Sequence, residues 1–67
     1  MKMFKYIVKA FLFDKEGELY MCDYSGIKHE TREKAVQELL EAKVKERDNE
    51  MLYNLQIFKT EKITLKR

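Results

Sequence analysis

The run Phe4-Lys5-Tyr6-Ile7-Val8-Lys9-Ala10-Phe11-Leu12-Phe13, followed at once by Asp14-Lys15-Glu16-Gly17, constrains the fold more than any other stretch of the chain. Its β-branched and aromatic side chains suit a pleated strand. Asp14 fits the first position of a type I turn, and Gly17 can supply the left-handed residue of a hairpin bulge. Glu18 to Tyr24 then returns as a second strand, stopped by Ser25-Gly26. Side chains alternate across a strand, so pairing these two runs sorts their residues onto two faces. Phe4, Tyr6, Val8, Ala10, Leu12, Tyr20, Cys22 and Tyr24 share an uncharged face. Ile7, Phe11, Phe13, Leu19 and Met21 fall on the other, among Lys5, Lys9 and Asp23. Both faces are apolar, and a single helix shelters only one.

The rest of the chain supplies that helix and one more strand. Thr31 is an N-cap candidate, since its hydroxyl can accept from an orphan amide of the first turn. From Arg32 to about Asp48, the spacing of Ala35, Val36, Leu39, Leu40 and Val44 predicts one core-facing stripe. Asn49 is expected to end the helix in a left-handed conformation. Met51 to Phe58 reads as a third strand, continuing through Ile63 and Leu65 after an irregularity near Thr60-Glu61. A right-handed crossover puts this strand beside the first, giving the order 2-1-3. The expected fold class is α+β: a ββαβ chain with a three-stranded, mostly antiparallel sheet and one helix packed on the uncharged face.

With 67 residues the chain makes one domain, residues 1–67. Ordering it costs about 100 kcal/mol of conformational entropy at about 1.5 kcal/mol per residue, close to what its burial can return. Domains this small usually gain stability from disulfides, a metal or association. Cys22 is the only cysteine and His29 the only histidine, so an internal disulfide is excluded and a structural zinc site is not expected. Association remains. The absence of an 18-residue apolar run argues against a membrane span. The lysines interrupting the first strand argue against a cleavable leader. One free thiol points to a reducing cytoplasm.

The second sheet face is the leading functional feature. Its apolar cluster, edged by lysines, has the character of an interaction patch formed by Lys5, Ile7, Lys9, Phe11, Phe13, Leu19 and Met21. Its occupant would be a second copy, a homodimer, or another protein. The competing possibility is that the C-terminal segment folds back over this face. A basic end formed by Lys2, Lys5, Lys9, Lys62, Lys66 and Arg67, near Tyr6 and Tyr24, is the alternative: a small nucleic-acid-binding module. The net charge of +2 does not by itself argue for it.

No residue pattern points to an enzyme, a metal or a cofactor. Cys22 and His29 are the only pair suggestive of a nucleophile and its base, and Cys22 is expected to be buried as a small hydrophobe. Asp23, His29 and Glu30 match no ligand spacing, and Asp14, Glu16 and Glu18 lack a calcium-loop pattern.

The stretch Phe13-Asp14-Lys15-Glu16-Gly17, followed by Thr31-Arg32-Glu33-Lys34-Ala35 and a closing strand, resembles small proteins of phages and mobile elements in low-GC bacteria. The resemblance is one of layout over the whole chain. It implies a non-catalytic regulatory role, since some such proteins bind and block host or defence proteins. A hairpin followed by a helix with Thr-x-x-x-Ala is also similar to the arm-binding domains of tyrosine recombinases, which lay a sheet in the DNA major groove. Those domains place a third strand before the helix, where this chain has only Ser25 to Glu30.

Overall fold

The structure is a computed structural model and describes residues 3–62. The chain order is β1 (Met3–Phe13), β2 (Leu19–Asp23), α1 (Arg32–Lys45) and β3 (Leu52–Lys62). The three strands form one fully antiparallel sheet in the order β2-β1-β3. This is the expected ββαβ layout, with the longest apolar run in the centre.

The hairpin closes as its sequence dictates. The Gly17 amide donates to the Asp14 carbonyl at 3.0 Å, and Gly17 has φ +80°. The Asp14 carboxylate accepts from the Glu16 and Glu18 amides at 2.9 Å each. That turn sets the register Phe13↔Leu19, Phe11↔Met21 and Lys9↔Asp23. Beyond Asp23 the chain leaves β1 at Ser25-Gly26, then touches it again where Tyr6 and His29 exchange two 2.8 Å backbone bonds.

Thr31 caps α1, its hydroxyl accepting from the Lys34 amide at 3.2 Å. Glu33 in the first turn and Lys43 and Lys45 in the last complement the helix dipole. The helix ends three residues earlier than expected, at Lys45. Asn49 does not take a left-handed conformation, since no described non-glycine residue has positive φ. Its side chain instead accepts from the Met51 amide at 3.0 Å and starts β3 through a local turn.

The helix seats on alanines. Ala35 and Ala42 are buried, and Leu39 lies between them in a core of Val8, Ala10, Ala42 and Leu55 with Leu12, Tyr24, Leu52 and Ile57 around it. Leu40 and Val44, expected in the core stripe, are 57% and 73% exposed. They lie roughly 140° and 180° around the helix from Ala35. Polar tethers fix that rotation: Tyr24 Oη donates to Glu46 at 3.1 Å, and Glu38 accepts from Ser25 and meets His29. Turning Leu40 inward would carry both glutamates away from their partners.

β3 pairs with β1 from Met3↔Lys62 to Leu12↔Leu52. The irregularity expected near Thr60-Glu61 is absent. It lies at Tyr53, where the register shifts between Phe11 and Leu12. Thr60 and Glu61 pair regularly with Lys5 and Phe4, while Ile63 and Leu65 are outside the described residues.

Candidate interaction surface

α1 packs on β1 and β3 through Val8, Ala10, Leu12, Leu52, Leu55 and Ile57, the face expected for it. No described element lies over the opposite face. Register places Lys5, Ile7, Lys9, Phe11 and Phe13 of β1 there, beside Leu19, Met21 and Asp23 of β2 and Asn54, Gln56, Phe58 and Thr60 of β3. Tyr53, displaced by the bulge, meets Phe13 edge-on with ring centroids 5.6 Å apart. Phe11 and Phe58 are tilted against each other at 6.2 Å.

The face is graded from dry to wet. Ile7 is only 3% exposed, although no described element covers the sheet above it. Its neighbours on the face are Lys5 and Lys9 along the strand and Phe58 across it. Long lysine stems lying over an apolar neighbour can exclude water while their heads stay wet. The heads are held: Lys5 Nζ lies 2.8 Å from Glu30 Oε1, and Lys9 Nζ lies 3.4 Å from Asp23 and 5.5 Å from the Phe58 ring centre. Phe11, Phe13 and Phe58 are half-buried, whereas Leu19, Met21 and Tyr53 are exposed. Ile7 is therefore a packed side chain, and the accessible part of the patch lies toward the hairpin and β2.

Sequence reasoning missed Tyr53 and Phe58. Alternation through Asn54, Gln56 and Phe58 does place Phe58 opposite the helix, but the bulge at Tyr53 breaks the period and carries no sequence mark.

Of the residues of the basic alternative, only Lys5 and Lys9 have described side chains. Lys5 and Lys9 are ion-paired on the sheet face, and the Lys5 contact holds the Glu30 carboxyl below its usual range by hydrogen bonding and charge. Lys62 is placed by its backbone pairing with Met3, and Lys2, Lys66 and Arg67 lie outside the described residues.

Chemistry elsewhere is equally sparse. Cys22 faces the helix side as expected but is exposed, because α1 does not extend over β2. It pairs with Ala10 and His29 with Tyr6, four residues apart on β1, a separation of about 13 Å along the strand. A nucleophile and its base need hydrogen-bond contact. No group of three potential metal ligands occurs among the described residues.

A groove of about 340 Å³ between the 27–29 segment and α1 is lined by Ile27, His29, Lys34, Gln37, Glu38 and Glu41. At its end His29 Nε2 lies 2.6 Å from Glu38 Oε1, and Ser25 donates to the other oxygen of Glu38. The carboxylate stands between the Ser25 hydroxyl and His29 Nε2, so the serine donates to Glu38 rather than to that nitrogen. The arrangement is a tether holding the connection to the helix. Among the described residues, no helix is long and apolar enough to cross a membrane. No protein-family model, curated protein or solved structure matches the chain.

Proposed function

We propose that this is a non-catalytic protein-binding domain of the cytoplasm, acting by association through the sheet face opposite its helix. The observation that carries this reading is the apolar side of the sheet: Phe11, Phe13, Leu19, Met21, Tyr53 and Phe58 share a face over which no described element lies. A contiguous apolar patch of this kind is a usual mark of an interaction site. Phe11, Phe13 and Met21 supply the anchors, while Lys5 and Lys9, already held in place, set orientation and encounter rate. A role in which binding is itself the activity is also what the layout's resemblance to small phage and mobile-element proteins implies.

The test is the double substitution Phe11→Glu with Phe13→Lys. Association, followed by sedimentation or by capture of a partner, should weaken at least about tenfold, the loss of 1.4 kcal/mol that one disrupted anchor readily exceeds. The helical circular dichroism should persist. Unchanged association in a folded double variant refutes the reading.

A further inference from the structure

The exposed apolar residues are concentrated on β2. Leu19, Tyr20, Met21 and Cys22 are exposed on both faces of the strand, and β2 is an edge of the sheet. Its backbone polarity follows from two bonds: the Tyr24 amide donates to Val8 at 2.9 Å and the Asp14 amide to Glu18 at 2.9 Å. In an antiparallel ladder the bonded pairs recur every second residue. Tyr20 and Cys22 therefore turn their amides and carbonyls toward β1, and Leu19, Met21 and Asp23 turn theirs outward. None of these outward groups has a hydrogen-bond partner among the described residues.

We propose that β2 pairs with β2 of a second copy of this chain, antiparallel and centred on Met21, building a continuous sheet of order β3-β1-β2-β2-β1-β3. This rests on the reading that the protein acts by association; it adds a contact at the sheet edge beside that face and leaves the face itself open to a partner. Four features select it. Among antiparallel registers, only the one opposing Met21 to Met21 and Leu19 to Asp23 satisfies every outward amide and carbonyl of the three residues. The same register sets Tyr20 against Cys22 of the other copy on the helix side, covering side chains that α1 leaves bare.

Charge then excludes the parallel alternative. Parallel pairing would align Asp14, Glu16 and Glu18 with their own copies. The antiparallel arrangement keeps the two acidic turns roughly 30 Å apart, beyond the Debye length, and lays each along the segment containing Lys28. β2 is also the less guarded edge. Leu19 to Cys22 contains no charge, proline or bulge, whereas β3 carries the Tyr53 bulge and the charged residues Lys59, Glu61 and Lys62. A seam of five residues buries less than about 1,200 Å², so the dimer is weak and concentration-dependent.

The experiment uses two variants of the full chain. Met21→Cys with Cys22→Ser places thiols across a bonded pair whose Cα atoms stand about 5.5 Å apart, within disulfide range. Under glutathione disulfide it should form the covalent dimer at least about tenfold faster than Leu40→Cys with Cys22→Ser, whose thiol sits on the exposed side of α1. Met21→Pro removes an outward amide from an edge strand, a position that tolerates proline. It should lower the dimer fraction seen by sedimentation of the unmodified chain while preserving the circular dichroism. A chain that stays monomeric at millimolar concentration, or equal crosslinking of the two thiol variants, overturns the pairing. A dimer that survives Met21→Pro but dissolves with Phe11→Glu and Phe13→Lys overturns it too, leaving the face reading intact. Loss of the Met21→Pro fold leaves the crosslinking rates to decide.

Discussion

Ile7 allows fold and binding to be separated on a single face. At 3% exposure it is as buried as the residues beneath the helix, yet it lies on the side of the sheet that no described element covers. Ile7→Ala removes three carbon atoms, worth about 2.4 kcal/mol at about 0.8 kcal/mol each. A residual cavity would raise this, but the lysine stems and Phe58 beside it lie at the surface and can close in, so the lower end of the 2–5 kcal/mol range applies. The expected loss is about 2.5 kcal/mol. Against a total of roughly 3–10 kcal/mol for a domain of this length, that is severe. Urea unfolding followed by circular dichroism measures it, with a slope near 1 kcal/mol/M giving a midpoint shift of about 2.5 M. Met21→Ala, at a site 47% exposed, should shift the midpoint far less. A loss below about 1 kcal/mol for Ile7→Ala would show that the lysine stems do not seal the face, and the graded description of the patch would fall.

Two further perturbations probe the polar tethers. Burial, then donation to Glu46 and the negative charges of Glu46 and Glu38, raise the Tyr24 hydroxyl above its ordinary value of 10.0. A raised acid contributes stability that is complete below the unfolded value and is lost as pH climbs through the folded one. Tyr24→Phe should therefore cost about 1 kcal/mol at pH 7, with the gap to the parent chain closing above pH 10; a constant gap in urea midpoints counts against the Glu46 bond. Glu38→Ala strips Ser25 and His29 of their shared acceptor, and amide exchange at His29 and Tyr6 should quicken at least about tenfold as the connection opens. Unaltered protection at both amides would mean the backbone bridge holds without the carboxylate.

Local chemistry made much of this molecule legible. Asp14 and Gly17 specify the turn, the turn specifies the register, and the register sorts every β1 and β2 side chain onto its observed face. Thr31 announces the helix start with equal clarity. What failed was long-range. Leu40 and Val44 satisfy helical periodicity as well as Leu39 does, but their side of the helix was settled by Glu38 and Glu46 finding Ser25, His29 and Tyr24 across the chain. The exposure of Cys22 had the same origin: its face was correct, while the helix turned out to sit over β1 and β3. The bulge at Tyr53 arises from pairing between residues some forty positions apart, which no local pattern records.

These errors share a direction that bears on association. The helix seats on alanines and lies over β1 and β3 without reaching β2. β2 is thus bare on its helix side, and no described element covers its other side. Replacing Ala42 with leucine tests whether the β2 edge stands independently of the helix. Overpacking there should destabilise the domain by about 1–3 kcal/mol and lift the helix, disturbing amide exchange along β1 and β3. The β2 seam should keep its rate of Met21→Cys crosslinking, because α1 makes no contact with it. A crosslinking rate that fell in step with stability would mean that the edge depends on the helix after all.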